Sequence, residues 1–211
     1  QGHDTLVSTV LGEVMQIDPE LIRITRPNSL ESLPGNSPVG SRMAIMLGGA
    51  AARAGEKLKS KIMAIAAHRL GVAIDQLRYE GGDVLAHDGR RFTWDEMVEL
   101  AHRQYHNLPD GMDPGLASFD IMQVPTGDAL PVDDKVQMYP CYSFEFHLLL
   151  VSFDPIIGRP DIHSYVIGHD CGTVINPAIV SGMTYGGIAH GIGAALFEEF
   201  AYDTNGQLLT Q

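Results

Sequence analysis

The glycines of one apolar segment are the first residues that suggest chemistry. Residues 178–200 read AIVSGMTYGGIAHGIGAALFEEF, a length and composition typical of a helix, yet the segment contains five glycines and one histidine, His190. Glycine destabilises a helix interior by about 1 kcal/mol relative to alanine, so these positions need a compensating contact. Two contacts would serve: another backbone element that approaches closely, or a ligand that lies against bare backbone. The spacing of the glycines leaves both explanations open.

A second candidate is the turn Gly40-Ser41-Arg42, which precedes the longest predicted helix. Apolar residues recur at helical spacing from Ser41 to Leu70, and Gly71 marks the end of the helix. N–H groups at a helix amino terminus carry partial positive charge, which suits a phosphate or pyrophosphate. Arg42 can add a charge-assisted hydrogen bond. Taken alone, such a turn is more often an ordinary helix cap beside a solvated arginine.

Other polar side chains give weaker indications. His147, His163 and His169 lie on neighbouring predicted strands, but no aspartate or cysteine at ligand spacing supports a metal site, so we predict no metal ligands in the chain. The two cysteines, Cys141 and Cys171, are too few for an iron–sulfur cluster or a structural zinc site. We expect both to be buried or partly buried thiols.

The elements that position these residues form a mixture of helices and antiparallel strands. Thr93-Trp94-Asp95-Glu96 has the form of a capping box, and Asn176-Pro177 opens the last helix. Helices are predicted at about 4–16, 41–70, 94–105 and 177–200, and strands at 21–25, 77–80, 83–87, 117–124, 144–153 and 161–170. This mixed order favours an α+β fold with mixed or antiparallel sheets and long packing helices. Residues 107–115, rich in proline and glycine, predict a boundary between lobes at about 1–110 and 116–211.

Composition excludes several classes of function. The net charge of −12 argues against nucleic acid as a partner. No segment reaches the roughly 18 apolar residues of a membrane span, and the amino terminus lacks the features of a signal peptide, so we expect a cytoplasmic protein. The chain begins at Gln1 and stops shortly after a predicted turn at Asn205-Gly206. We therefore expect it to be a piece of a longer polypeptide.

Four ordered motifs together resemble the molybdenum hydroxylases, the family of xanthine dehydrogenase and aldehyde oxidase. Within that family the pattern is most similar to large subunits of the carbon monoxide dehydrogenase type, in their carboxyl-terminal, molybdopterin-binding portion. The resemblance spans nearly the whole chain. The motifs are Gln1-Gly2-His3-Asp4-Thr5; Gly40-Ser41-Arg42 with Gly48-Gly49-Ala50; Phe153-Asp154-Pro155 to Gly158; and Asp170-Cys171-Gly172 through Asn176-Pro177 to Gly193 and Glu198-Glu199.

The resemblance implies that these segments hold molybdopterin cytosine dinucleotide or the shorter molybdopterin. Neutral polar groups at the start of a helix suit a pterin, which has many donors and acceptors. His190 and Met183 stand where the family usually has glutamine, and a histidine can donate a hydrogen bond in place of the amide. The implied cofactor-binding residues are Gln1, Gly2, His3, Thr5, Gly40, Ser41, Arg42, Asn176, Gly187, His190 and Gly191.

The resemblance also implies an activity and a set of partners. The activity is oxidative hydroxylation of a small-molecule substrate by a molybdenum-containing oxidoreductase, with electrons passed to iron–sulfur clusters and FAD. The partners are the remainder of the large subunit, an iron–sulfur small subunit and an FAD-containing medium subunit, assembled as a dimer of heterotrimers.

No catalytic residue is predicted within the chain. The family's catalytic base is a glutamate in a Gly-x-Gly-Glu segment, and the 211 residues contain no such segment. Glu198 and Glu199 match a family pair that follows the glycine-rich helix, so we do not assign them to catalysis. The resemblance therefore implies a chain that is inactive in isolation. The alternative is a non-catalytic split subunit or interface module without bound cofactor.

Overall fold

The chain folds into two units. A computed structural model describes residues 2–26, 28–30, 32, 38–123, 133, 135 and 141–210. The first unit comprises residues 1–140 and the second 141–211. Residues 107–115, where the sequence placed a boundary between lobes, lie within the first unit. Both units combine helices with a small antiparallel sheet, so the predicted α+β class is confirmed.

The first unit is built around two helices near its start. α1 covers His3–Met15, and α2 covers Gly49–Leu70 and ends at Gly71 in the left-handed conformation, as predicted. The sequence predicted that α2 would begin at Ser41, but a π-helical segment, Ala44–Gly48, precedes it. Wide π turns of this kind are rare and are often found at functional sites.

The strand predicted over residues 21–25 is wrong. A 3-10 turn covers Pro19–Leu21, and residues 22–26 have no regular secondary structure. The side chain of Asp18 accepts a hydrogen bond from the N–H of Glu20, which favours the turn. The apolar residues that follow have no partner strand among the described residues, and β-propensity without cross-strand packing does not make a strand.

Helices α1 and α2 run in the same direction and approach closely at glycines of α2 and of the π segment. A Cβ atom on Gly48 would lie 3.6 Å from the side chain of Leu6, and one on Gly55 would lie 2.8 Å from Cγ1 of Val14. Because the contacts advance along both helices together, the amino-terminal ends of α1 and of the π segment lie at the same end of the pair.

A three-stranded antiparallel sheet packs with the other end of α2. Its strands are β1 (Leu77–Glu80), β2 (Asp83–Ala86) and β3 (Arg91–Phe92). Helix α3 follows at Trp94–His102, and its predicted capping box between Thr93 and Glu96 is confirmed. The core of the first unit therefore lies at the carboxyl-terminal half of α2. Its buried residues are Met15, Ile62, Ile65, Ala66, Leu77, Tyr79, Val84, Ala86, Phe92, Met97, Leu100, Ala101 and Leu108.

An extended segment, residues 113–122, runs along α2 in the opposite direction and is here called the strap. Lys61 Nζ donates to the carbonyl of Asp113 at 2.8 Å, and Ser118 Oγ donates to the carbonyl of Ala54 at 2.7 Å. The strand predicted over residues 117–124 is wrong for residues 117–123, and Val124 lies outside the described residues. The segment pairs with side chains and carbonyls of a helix, so it has no strand partner.

The second unit is a long hairpin followed by a helix. β4 covers Phe144–Asp154, β5 covers Arg159–Asp170, and α4 covers Pro177–Leu196, close to the predicted bounds. None of the described residues from 141 to 210 is buried. Cys141 and Cys171 are exposed, which corrects the expectation of buried thiols, because this unit has no interior of its own to hold them. No helix in the described part of either unit is long and apolar enough to cross a bilayer.

Substitution at Gly55 tests the close contact between α1 and α2. Alanine would stabilise the helix by about 1 kcal/mol, but overpacking against Val14 costs about 1–3 kcal/mol. We expect Gly55→Ala to lower the free energy of unfolding, and the same substitution in a Val14→Ala background to raise it by about 1 kcal/mol. Urea unfolding of the four proteins measures both changes. If Gly55→Ala changed the free energy of unfolding with the same sign in both backgrounds, that result would contradict the close contact between Gly55 and Val14.

Candidate functional site

Six of the predicted cofactor-binding residues lie at one end of the first unit. Gly2, His3 and Thr5 form the start of α1, and the turn Gly40-Ser41-Arg42 immediately precedes the π segment. Because α1 and α2 run parallel, the structure brings these two groups to the same end of the helix pair. The sequence placed each group at a helix start, but only the fold shows that the two starts are neighbours. Gln1, also predicted for this site, lies outside the described residues.

The backbone at this end has the conformation of a turn that exposes N–H groups. Gly2, Gly40 and Ser41 all have positive φ, at 74°, 66° and 51° respectively. Gly40 and Ser41 are exposed, as is Thr5. The first N–H groups of a helix have no intrahelical acceptor, so they need another partner.

Neither helix start is capped by the side chain of its own N-cap residue, which is Gly2 for α1 and Met43 for the π segment. No side chain of the N-cap residue accepts from the first turn of α1 or of the π segment. In contrast, Thr93 caps α3 and Asn176 caps α4. Two parallel helices also place their positive dipole ends side by side, which is unfavourable without a nearby negative charge. The arrangement therefore fits an anion that accepts from both helix starts.

One acidic side chain at this end is neutralised by a neighbour. Asp4, in the first turn of α1, forms an ion pair with Arg26. The hydrogen bond from Arg26 lowers the pKa of Asp4, so the carboxylate is ionised at neutral pH. Since the guanidinium offsets that negative charge, Asp4 does little to repel an anion bound at the helix starts.

The other predicted site residues lie in the second unit, on or next to α4. The side-chain oxygen of Asn176 accepts from the N–H of Ile179 at 3.1 Å, so this residue caps the helix. Gly187 and Gly191 lie one turn apart on the face that looks toward the hairpin, and both line a groove there. His190 is exposed and is not part of that groove lining.

Four of the five glycines of α4 have no close neighbour among the described residues of their own unit, whereas a Cβ atom on the fifth, Gly193, would lie 3.1 Å from Oε1 of Glu198. A Cβ atom at Gly182, Gly186, Gly187 or Gly191 would meet no atom of residues 141–210 within 4 Å. The close-packing explanation from the sequence therefore has no partner element within the described part of this unit. The glycines leave a bare strip of helix backbone along α4.

Sequence reasoning missed a polar cluster on the hairpin. Glu145 Oε1 lies 2.6 Å from His169 Nδ1, and Glu145 Oε2 lies 3.3 Å from His147 Nε2. The other ring nitrogen of His147, Nδ1, is 2.8 Å from the hydroxyl of Tyr165. If Glu145 accepts from Nε2–H, then neutral His147 accepts the Tyr165 proton at Nδ1. Glu145 and His147 are two residues apart on a strand and so share a face, which is the signal that the sequence offered.

The three histidines singled out from the sequence do not converge. His163 Nε2 contacts the hydroxyl of Ser152 at 2.7 Å, away from the Glu145 cluster. Within the described ranges, no three metal-binding side chains are grouped so that they could hold an ion.

Comparison with known proteins gives a consistent result over the whole chain. The family model for the molybdopterin cofactor-binding domain matches residues 1–211. The chain is 30% identical to the large subunit of nicotine 6-hydroxylase from Paenarthrobacter nicotinovorans and 29% identical to the carbon monoxide dehydrogenase large chain of Hydrogenophaga pseudoflava. These alignments cover 100% and 99% of the chain but 24% of each relative. The chain thus spans about a quarter of the length of these relatives.

Solved structures of related enzymes also match over nearly the whole chain. Carbon monoxide dehydrogenase from Oligotropha carboxidovorans matches with a TM-score of 0.82 at 26% identity, over 99% of this chain and 24% of that one. Quinoline 2-oxidoreductase from Pseudomonas putida 86 matches with a TM-score of 0.77 at 27% identity, over 100% of this chain and 25% of that one.

Two substitutions of Asn176 test whether its side-chain oxygen caps α4. Asn176→Ala removes the acceptor for Ile179, so we expect it to destabilise α4 by about 1 kcal/mol. Asn176→Asp keeps an acceptor, and we expect little loss of helix stability, although it removes the side-chain N–H₂ donor. Helix content followed by circular dichroism during urea unfolding compares the two variants. Equal destabilisation by both substitutions would contradict the capping role.

The Glu145 cluster predicts a pH-dependent contribution to the hairpin. The hydrogen bond from His147, followed by that from His169, holds the pKa of Glu145 below its ordinary value, against partial desolvation. A depressed pKa means that the stabilisation is present above the ordinary glutamate pKa, about 4.3, and is lost as the pH falls through the folded value. We expect His147→Ala to raise the pKa of Glu145, measured from its carboxyl ¹³C chemical shift. His163→Ala is the control and should leave that pKa unchanged.

Proposed function

We propose that this chain, which belongs to the molybdopterin cofactor-binding domain family, forms part of the cofactor site of a molybdenum-dependent hydroxylase or dehydrogenase large subunit. The proposed cofactor is molybdopterin cytosine dinucleotide, with the shorter molybdopterin as its alternative. When bound, the molybdenum centre would supply oxidative hydroxylation of a small-molecule substrate.

The observation that carries this proposal is the pair of uncapped helix starts at one end of the first unit. The N–H groups near Gly2 and those near Gly40 and Ser41 point to a ligand with several negatively charged oxygens, as a phosphate or pyrophosphate has. Two adjacent positive dipole ends favour a ligand with more than one charge. The proposal assigns the phosphate-bearing part of the cofactor to this end.

The side chains at the same end have distinct proposed roles. Thr5 is exposed and provides a hydroxyl that can donate to or accept from a pterin or phosphate. His3 provides ring nitrogens in the first turn of α1, and Arg42 provides a guanidinium for a charge-assisted hydrogen bond. Gln1 is proposed as a further hydrogen-bonding partner of the pterin.

On α4, the bare backbone strip supports a contact with the flat surface of a ligand. Gly187 and Gly191 present no side chain on the face that looks toward the hairpin, so a planar group can approach the helix directly. His190 would then donate a hydrogen bond where the resemblance places a glutamine. Asn176 keeps its amide donor for the cofactor while its oxygen caps the helix.

The proposed enzyme is larger than this chain. We propose that the catalytic glutamate lies outside residues 1–211 and that the chain alone is inactive. The remaining partners are the rest of the large subunit, an iron–sulfur subunit and an FAD-containing subunit, in a cytoplasmic dimer of heterotrimers. This follows from the resemblance and from relatives named as large subunits or chains, each about four times as long as the region they share with this chain.

Elemental and nucleotide analysis tests the proposal directly. The protein is purified with its copurifying chains, and molybdenum is measured together with the CMP that acid releases. Stoichiometric molybdenum and CMP support a dinucleotide cofactor, and molybdenum with a pterin but no CMP supports the shorter form. Absence of both would contradict cofactor binding and favour the alternative of a split subunit or interface module.

A pair of glycine substitutions tests whether Gly40 belongs to the cofactor site. Gly40 and Gly71 both have φ 66°; Gly40 precedes the π segment that leads into α2, and Gly71 follows the last residue of α2. Alanine in this conformation costs about 1–2 kcal/mol at either position. We expect Gly40→Ala to reduce bound molybdenum and CMP, while Gly71→Ala lowers the melting temperature without that loss. Equal cofactor content in the two variants would contradict the assignment of Gly40 to the site.

A further inference from the structure

The junction between the π segment and α2 is a pair of glycines, Gly48 and Gly49, with a different neighbour on each. Leu6, in α1, packs against Gly48 at 3.6 Å from the position that a Cβ atom would take. Met122, at the end of the strap, packs against Gly49, where a Cβ atom would lie 3.0 Å from both Cγ and Sδ of the methionine. The helix is therefore clamped at this junction between α1 and the strap.

The strap holds Met122 in place by ion pairs two residues earlier. Asp120 Oδ1 lies 3.0 Å from Arg53 Nε, and Asp120 Oδ2 lies 2.7 Å from Lys57 Nζ. The side chain of Asp120 is only 3% exposed, and Lys57 Nζ also donates to the carbonyl of Phe119 at 3.2 Å. The end of the strap is thus fixed to the first turns of α2 by several contacts, which hold the backbone that carries Met122 beside Gly49.

The clamp at Gly48 and Gly49, which includes Leu6, lies close in sequence to both parts of the proposed site. It lies one π segment away from the turn Gly40-Ser41-Arg42, and Leu6 directly follows Thr5 in α1. A π turn is less regular than an α turn, so its path depends on what holds its two ends. The contacts at Gly48 and Gly49 lie at the point where the π segment joins α2.

We propose that Gly49 and Met122 are positioning residues that align the two helix starts for a pyrophosphate-type anion. This inference rests on the proposed function. A side chain at position 49 would displace Met122 or rotate the π segment, and the N–H groups at Gly40 and Ser41 would then no longer converge with those of α1. The same overlap explains why a glycine stands at position 49, inside a helix where alanine would be more favourable.

The test uses inorganic pyrophosphate as the probe and a compensating substitution as the discriminating control. The full-length protein is produced in a host that does not make the pterin, and pyrophosphate affinity is measured by calorimetry. We expect Gly49→Val to weaken binding on the order of tenfold, because small displacements of aligned groups have large effects. Gly49→Val combined with Met122→Ala should restore it. Lys61→Met, which releases the strap at its other end, should leave the affinity unchanged.

Each other outcome has a definite meaning. Unchanged affinity in Gly49→Val would overturn the positioning role while leaving the proposed cofactor site intact, even if the melting temperature falls. Weakened binding that Met122→Ala does not restore would overturn the clamp as its cause. Failure of the unsubstituted protein to bind pyrophosphate would contradict the proposed site itself, and the positioning role with it.

Discussion

The close parallel packing of α1 on the π segment and α2 is the constraint on which the rest of the first unit depends. Gly48 and Gly55 admit Leu6 and Val14, and this contact fixes the direction of α1. An antiparallel pair would place one helix start beside the other helix's carboxyl end, where dipoles attract. The parallel pair instead gathers two sets of unsatisfied N–H groups, and the hydrophobic core lies at the opposite half of α2. The hydrophobic core and the proposed ligand site thus lie at different ends of one helix.

Features set by local chemistry could be predicted from the sequence. The capping box at Thr93, the left-handed end of α2 at Gly71 and the start of α4 at Asn176 each depend on a few neighbouring residues. The strands expected at 21–25 and 117–123 are absent because a strand needs a partner, and the second of these segments pairs with the side of a helix instead. The π segment could not be predicted from the sequence either, because its wide turn is in contact with residues far away in the chain.

The candidate site could also be predicted only where it depends on local sequence. The motifs indicated which residues to expect at helix starts, but the placement of both starts at the same end of the helix pair depends on helix direction, which the motifs do not encode. In the half of the hairpin next to the turn, Val151 pairs with Ile162. If this register continued unchanged to the other end, Gly168 would lie opposite Glu145. A bulge between Leu150 and Val151 shifts the register by one residue and brings His169 opposite Glu145 instead. A one-residue shift exchanges the two faces of a strand, so His169 and Tyr165 lie on the same face as Glu145 and His147 because of that bulge.

The two helix starts, if they bind an anion as proposed, also have a consequence for the protein without its cofactor. A ligand that binds only the folded state stabilises that state in proportion to the logarithm of its concentration. Phosphate, sulfate or any small oxyanion in the solution can accept from the same N–H groups that the cofactor would use. With such a site, the melting temperature of the empty domain depends on the buffer as well as on the chain, and it is higher in phosphate than in a buffer without such anions.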